Sequence, residues 1–168
     1  HPYKWGITLH DSHFGTVRGN ILYNIAGSGI QTEQGHEAYN VITRNFAVHM
    51  TGLGEKKVPD ATSSDIAKDG SGLWLRGGYN WVEENVVADA RFAGHYLSSY
   101  YIKARQIPER PGVPVTQESV THRYLPVLSF VRNEAYGAMQ HGLWGAWPSG
   151  CCNATNWPES TIEHLTVW

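Results

Sequence analysis

Two adjoining segments decide the fold of this chain: Gly29-Ile30-Gln31-Thr32-Glu33-Gln34-Gly35-His36-Glu37 and Asn40-Val41-Ile42-Thr43-Arg44-Asn45-Phe46-Ala47-Val48. Apolar and polar residues alternate in both, as is typical of short β-strands that bury one face. A bend that contains glycine joins them. The pair therefore predicts a strand–turn–strand unit.

The same unit recurs along the chain. It opens at five glycines and turns at four asparagines: Gly6, Gly29, Gly72, Gly94 and Gly142, with Asn20, Asn45, Asn85 and Asn133. The interval from asparagine to the next glycine is 9 residues at three junctions, and it is 27 from position 45 to position 72. Repetition at such a period predicts a solenoid, whose units bury a core by stacking.

Two long intervals indicate insertions at different corners of the repeat. One lies between positions 45 and 72, and the other separates Gly94 from Asn133 by 39 residues where earlier units have 14, 16 and 13. Residues 52–70 and 99–120 are polar and punctuated by proline and glycine, so we predict loops there. The sequence therefore predicts an all-β, right-handed parallel β-helix of about five coils. We treat residues 1–168 as a single domain or fragment of a longer solenoid.

Alternation within each unit assigns residues to the inside of the predicted β-helix. The expected inward positions are Ile7 and Leu9, Ile30 and Thr32, Leu73 and Leu75, and His95 and Leu97. Equivalent positions should form ladders, because stacked strands lie about 4.8 Å apart. The four asparagines form one such ladder, and we predict a structural role for it because the Asn amide can bond the backbone of the next coil.

Composition narrows the classes of function. The chain has 168 residues, a net charge of -2, 18 glycines, 7 tryptophans and 9 tyrosines. This charge offers no bulk attraction to a polyanion, so we expect no nucleic-acid partner. No apolar run is long enough to span a membrane. The chain begins with His1 and neither end resembles a cap, so we expect flanking domains or self-association through open solenoid ends.

One outward row carries polar residues of catalytic type. The residues four positions after successive coil-opening glycines are His10, Glu33, Arg76 and Ser98. The residues seven positions after the same glycines are His13, His36, Tyr79 and Tyr101. His10, Glu33, Arg76 and Tyr79 could act as base, charge neutraliser and proton donor on an acidic sugar. Alternatively, His10, His13, Glu33 and His36 could hold a divalent metal. The third interpretation is a solvated polar face.

A second outward row is aromatic. Trp74, Tyr96 and Trp144 each stand two residues after a glycine, and Glu37 is a further candidate for contact with a substrate. Exposed aromatic rings offer flat, amphipathic platforms for a sugar. The alternative is an aromatic row buried under residues 99–120. We interpret the adjacent Cys151 and Cys152 as structural or incidental, because a disulfide between neighbours is strained.

Several motifs resemble a known family. They are Thr32-Glu33-Gln34-Gly35-His36-Glu37, Leu73-Trp74-Leu75 with Tyr79-Asn80, Ala88-Asp89-Ala90 with Gly94-His95-Tyr96, and Phe130-Val131-Arg132-Asn133-Glu134-Ala135 with Gly142-Leu143. These motifs, within residues 6–145, resemble the β-helix region of the extracellular cell-migration-inducing hyaluronidases and of fibrocystin-like proteins. The resemblance implies an extracellular or cell-surface β-helix and, in some members, depolymerisation of hyaluronan. Gln34 and Tyr136 depart from the family motifs, so no catalytic residue is carried over.

Three hypotheses about function follow. The first is a polysaccharide lyase or hydrolase that acts on an acidic glycan through the His/Glu/Arg row, with or without a divalent metal. The second is a carbohydrate-binding β-helix without catalysis. The third is a structural segment of a large surface protein. Polysaccharide is the expected partner in the first two.

Overall fold

The computed structural model describes residues 5–52, 67–97, 101–103, 107–109, 111, 119–121, 126–145 and 160–168. These residues form strands and no helix, so none of them forms a helix that could cross a membrane. The strands are β1 (Ile7–Leu9), β2 (Thr16–Arg18), β3 (Ile21–Ile25), β4 (Ile30–Thr32), β5 (Val41–Thr43), β6 (Phe46–Met50), β7 (Leu73–Leu75), β8 (Trp81–Glu83), β9 (Val86–Ala90), β10 (Ala93–Leu97), β11 (Tyr101–Lys103), β12 (Ser119–Thr121), β13 (Ser129–Val131), β14 (Glu134–Tyr136), β15 (His141–Gly145), β16 (Ile162–Glu163) and β17 (Thr166–Val167).

Three parallel sheets run along one axis. Sheet A has the order β1-β4-β7-β10-β15, sheet B the order β2-β5-β8-β13-β16, and sheet C the order β3-β6-β9-β14-β17. Each coil contributes one strand to each sheet, so the described strands make five coils. This confirms the predicted parallel β-helix. β11 and β12 pair antiparallel and lie between β10 and β13 in the chain.

Aliphatic side chains fill the interior, as the alternation predicted. Ile7 pairs with Ile30, and Ile30 pairs with Leu73, in one continuous row of sheet A. The core cluster consists of Leu9, Val17, Leu22, Ile30, Ile42, Ala47, Met50, Leu73, Leu75, Val82, Val87, Ala90, Leu97, Val127 and Phe130. Full burial of one such large side chain stabilises the fold by about 1.5–3 kcal/mol. Burial of these ladders is therefore the main favourable term in the stability of the solenoid.

The corner between sheets B and C has two residues in every coil. The first is a left-handed residue in the second, third and fourth coils, where Arg44, Glu84 and Arg132 have φ of 55°, 56° and 52°. The second residue is the predicted asparagine in the first four coils, as in Asn85, and Leu165 in the fifth. Asn85 Oδ1 accepts from the backbone N of Asn45 at 3.1 Å, and Asn85 Nδ2 donates to the carbonyl of Ile42 at 2.9 Å. The ladder thus links adjacent coils through buried amides.

A second asparagine ladder, which we did not predict, lies at the corner between sheets A and B. The backbone N of Asn40 donates to Asn80 Oδ1 at 2.9 Å, and the backbone N of Gly15 donates to Asn40 Oδ1 at 2.8 Å. The preceding residues, Tyr39 and Tyr79, are left-handed and their rings lie 5.9 Å apart. The repeated Tyr-Asn pair was the signal in the sequence.

The glycines that open the coils are required by crowding. A Cβ built on Gly29 would lie 2.6 Å from the carbonyl oxygen of Gly72, and one on Gly72 would lie 2.7 Å from that of Gly94. Real Cβ atoms essentially never approach backbone so closely. The row therefore has room only for hydrogen at this position.

Both predicted insertions border sheet A. Residues 51–72 separate β6 from β7, and residues 98–128 separate β10 from β13, whereas other coils make these turns in fewer residues. Residues 99–120 were expected to be loop, but they include β11 and the first two residues of β12. Residues 146–161 separate β15 from β16 and are a third long connection, which the intervals between glycine and asparagine did not predict.

Candidate functional site

The predicted polar row forms where the first three strands of sheet A end. His10, Glu33 and Arg76 follow β1, β4 and β7 directly, so the parallel stacking brings them together. His10 Nδ1 lies 2.8 Å from Glu33 Oε2, and Arg76 Nη1 donates to the Glu33 carbonyl oxygen at 3.1 Å. The structure therefore unites three of the four residues predicted as catalytic.

The His10–Glu33 pair is open to solvent. The His10 side chain is 57% exposed and that of Glu33 is 30% exposed. The hydrogen bond to Glu33 raises the pKa of His10 above its ordinary value, and the negative charges of Glu33, Asp11 and Glu37 act in the same direction. His10 therefore keeps its proton to a higher pH than a free histidine, which suits it to contact an anion or to act as an acid.

Two further residues complete this corner and were missed from sequence. Asp11 lies 3.8 Å from His10 Nε2 and also pairs with His36, while Gln34 Nε2 lies 2.8 Å from His10 Nδ1. Asp11 directly follows His10, and its φ of 48° turns it back toward the second coil. Its position beside a predicted site residue was the available signal.

The four residues of the metal hypothesis do not converge on one point. His13 Nδ1 accepts a hydrogen bond from the backbone N of Ala38 at 3.2 Å, and burial together with the nearby His36 lowers the pKa of His13. His36 faces Asp11, and the His13 and His36 rings lie 6.0 Å apart. Among the described residues, no group of three or more His, Cys, Asp or Glu is arranged to hold a metal ion.

Tyr79 and Glu37 were predicted to face a substrate, and the structure corrects both. Each side chain is buried. Tyr79 belongs to the ladder of left-handed aromatics, and its burial raises its pKa, which makes it a weaker acid. The Glu37 carboxylate accepts from the backbone N of Gln34 at 2.8 Å and of Gly35 at 2.7 Å. Glu37 therefore organises its own turn.

The predicted aromatic row exists, but it is covered at one end. Tyr96 pairs in register with both Trp74 and Trp144, on the outward side of sheet A. Trp74 is only 2% exposed, which corrects its expected role as an open platform, whereas Trp144 is 43% exposed. The row is therefore accessible in the fifth coil and closed in the third.

A compact aromatic cluster surrounds Trp144. The buried Phe92 ring lies 6.0 Å from Trp144, 5.7 Å from Tyr96 and 5.7 Å from His141. The His141 and Trp144 rings are 4.2 Å apart. We did not predict Phe92 and His141, because they lie just before and at the start of strands β10 and β15, outside the row we followed. Phe92 therefore packs against the rings of Tyr96, His141 and Trp144.

Some predicted residues cannot be placed. Ser98, Cys151 and Cys152 lie outside the described residues. Tyr101 lies in β11, but its side chain is outside the described part of the chain. The polar and aromatic rows above are therefore the candidate site.

Comparison with known proteins identifies the scaffold. The family model "CEMIP beta-helix" matches residues 1–143, which include the polar corner and most of the aromatic cluster. The chain belongs to this family. The CEMIP-type β-helix is also similar to fibrocystin-L of Mus musculus, at 24% identity over 99% of this chain, and of Homo sapiens, at 23% identity over 99%. No solved structure matches it.

The two fibrocystin-L relatives are much longer than this chain. This CEMIP-type β-helix spans about 4% of the length of the two fibrocystin-L relatives. The matches therefore confirm the expected resemblance to the CEMIP and fibrocystin-like β-helix and establish its fold family.

Proposed function

We propose that this CEMIP-type β-helix binds a polysaccharide outside the cell, on the outward face of sheet A. The observation that carries the proposal is the exposed Trp144 ring, which stands on the buried Phe92 within an aromatic cluster. Exposed apolar side chains grouped in a patch, unlike single scattered ones, mark interaction sites. Rigid aromatic rings suit the apolar faces of sugar rings, while their polar edges and neighbours suit hydroxyl groups.

The polar corner extends this surface. Arg76 and His10 belong to the next outward row, two residues further along the strands, which is about 7 Å away. Arg76 lies in the third coil and Trp144 in the fifth, so they are separated by about 10 Å along the axis. A glycan chain that lies along sheet A could stack on Trp144 and present a carboxylate to Arg76. Charge-assisted bonds from a guanidinium to a carboxylate are among the strongest polar contacts.

The first prediction concerns Trp144. Trp144→Ala should weaken binding to the preferred polysaccharide by about 10- to 100-fold, because a central aromatic anchor carries much of the binding energy of an interface. The melting temperature should change little, since the ring is half exposed. Affinity electrophoresis or calorimetric titration against hyaluronan, chondroitin, alginate and pectate measures the effect.

Trp168→Ala is the matched control. Trp168 follows β17 of sheet C and is 79% exposed, so it is an exposed tryptophan away from sheet A. It should retain wild-type affinity. Equal losses from both variants would show that binding is non-specific, and a wild-type chain that binds none of the four polymers would leave the structural role as the better interpretation.

Depolymerisation of an acidic glycan is the second candidate function, and the observation that favours it is the contact of His10 with Glu33 beside Arg76. Arg76 would neutralise a uronate carboxylate, and His10 would exchange the proton that cleavage requires. A lyase needs only such a neutraliser and a base. A hydrolase needs two carboxylates within about 5–10 Å, and Asp11 would supply the second because it lies on the other side of the His10 ring.

The second prediction concerns His10. If the chain cleaves an acidic polymer, His10→Ala should reduce the rate by about 100-fold or more, which is typical for loss of a general acid or base. Chain length and absorbance of unsaturated ends distinguish hydrolysis from elimination. His49→Ala is the matched control, because His49 is also an exposed histidine bonded to a carboxylate, that of Asp89 at 2.6 Å, but on sheet C. Binding without shortening of any polymer would exclude this second function and leave the first intact.

A further inference from the structure

One histidine lies in the core of the fourth coil and takes no part in the surfaces described above. His95 is 0% exposed and occupies an inward position of β10, between Leu73 and Leu143 of the adjacent strands in sheet A. Its ring meets the ring of Phe130 in sheet B edge-on, at 5.3 Å. Its Nε2 donates to the Glu134 carbonyl oxygen in sheet C at 3.2 Å. The His95 side chain therefore links sheet A to sheets B and C within this coil.

Among the residues that the structure describes, none beside His95 offers a partner for a positive charge. Leu73, Leu143 and Phe130 are apolar, and in β14 it is the Glu134 backbone oxygen that accepts the hydrogen bond from the ring. The Glu134 carboxylate is bonded to the Tyr136 hydroxyl, and His95 Nδ1 has no hydrogen-bond partner among the described residues. A second proton would have to add at Nδ1, in an apolar core. Burial accordingly lowers the pKa of His95 to about 4.

We propose that His95 makes the fourth coil acid-labile, so that a polysaccharide held on Tyr96 and Trp144 is released when the pH falls. This regulation rests on the proposed binding function. Tyr96 directly follows His95 in β10. Protonation of His95 would therefore destabilise the strand that positions Tyr96 on the binding face. In a solenoid each unit contacts only its neighbours, and a weakened coil can open without unfolding the whole.

The direction of the pH effect follows from linkage. In the unfolded chain the pKa of histidine is about 6.5, so that state takes up a proton at a pH where the folded state does not. Stability is complete above about pH 6.5 and is lost as the pH falls toward about 4. The unfolding equilibrium constant should rise about 30-fold between about pH 7.5 and pH 5 from this residue alone.

Other histidines require a variant that isolates His95. The raised pKa of His10 works in the opposite direction, because protonation strengthens its pairing with Glu33. The lowered pKa of His13 works in the same direction as that of His95. His95→Leu removes only the titration in the core, and leucine already occupies the equivalent positions 73 and 143.

The test compares the full chain with its His95→Leu variant at pH 7.5 and pH 5. Binding is measured with whichever of hyaluronan, chondroitin, alginate and pectate binds best at pH 7.5, and stability is measured by urea denaturation. At the lower pH the unfolding constant of the wild type should rise about 30-fold, and its affinity should fall by up to the same factor, because only the closed coil binds. In the variant, the rise in the unfolding constant and the fall in affinity should each be less than about threefold. His164→Asn, which removes an exposed histidine at a left-handed position, should behave as wild type.

Equal losses in the wild type and the variant would overturn the proposal. If none of the polymers binds at pH 7.5, the binding function and the release both fail, while the urea curves still decide whether His95 makes the coil acid-labile. If the variant does not fold, an NMR titration of the His95 ring protons in the wild type decides whether His95 stays neutral in the folded chain. Their NMR shifts should stay close to those of a neutral imidazole down to about pH 5, and titration near pH 6.5 would refute the inference.

Discussion

Asn85→Ala should lower the free energy of unfolding by about 3–5 kcal/mol, because it leaves several buried polar groups without partners. Asn85 Oδ1 accepts from the backbone N and from Nδ2 of Asn45, and Asn85 Nδ2 donates to Ile42 and Asn133. None of these groups can turn to water, because the corner is buried. Urea denaturation should show a lower midpoint with an unchanged slope, provided that unfolding stays cooperative.

Asn20→Ala is the matched control at the end of the same ladder. Asn20 is only partly buried, and its Nδ2 donates to Asn45 Oδ1 at 2.9 Å. Asn45 Oδ1 keeps the hydrogen bond from the backbone N of Asn20 at 3.0 Å when the Asn20 side chain is removed, so the loss should be about 1 kcal/mol. Similar losses from the two variants would contradict the idea that the ladder acts through buried amides bonded on both sides.

Gly72→Ala should destabilise the fold by about 3 kcal/mol or prevent folding, since the added methyl group has no space. Its Cβ would lie 2.3 Å from one methyl group of Val87 and 2.7 Å from the carbonyl oxygen of Gly94. The side chain of Val87 could move, but the Gly94 backbone is held in the sheet A ladder. Circular dichroism melts of the purified variant measure the effect.

A second glycine separates crowding from backbone conformation. Gly137 has φ of +61°, and a Cβ there would meet no atom closer than 4.0 Å. Gly137→Ala should therefore lose about 1 kcal/mol, the ordinary penalty for a left-handed alanine. If Gly137→Ala were as harmful as Gly72→Ala, close approach of the coils would not be the reason for the glycine row.

The fold was predictable because its repeating contacts leave periodic marks in the sequence. Gly29 and Gly72 are glycines because adjacent coils touch there, and Asn45 and Asn85 are asparagines because each bonds the next coil. Both requirements recur once per coil, so intervals between the residues located the coils and their insertions. The second ladder, through Asn40, was missed because it recurs in fewer coils.

The sequence predicted which side chains of the candidate site align across the coils, but not which of them reach solvent. Stacking in register brought His10 to Glu33 and Tyr96 to Trp144, as the spacing indicated. Whether an outward side chain reaches solvent depends on what packs over it, and alternation within one strand carries no record of that. Trp74, Tyr79 and Glu37 were for this reason expected at the surface and are buried.

The two-residue corner between sheets B and C has a consequence for how such proteins diversify. It has the same length in all five coils, whereas the long connections, residues 51–72, 98–128 and 146–161, all adjoin sheet A. Sheets B and C thus form the part of the solenoid whose connection is constant in length from coil to coil. Loop grafting, and sequence divergence between homologues, can change the rim of sheet A without altering the register. The connections around sheet A and the stability of the scaffold can then evolve separately, because different parts of the same coil determine them.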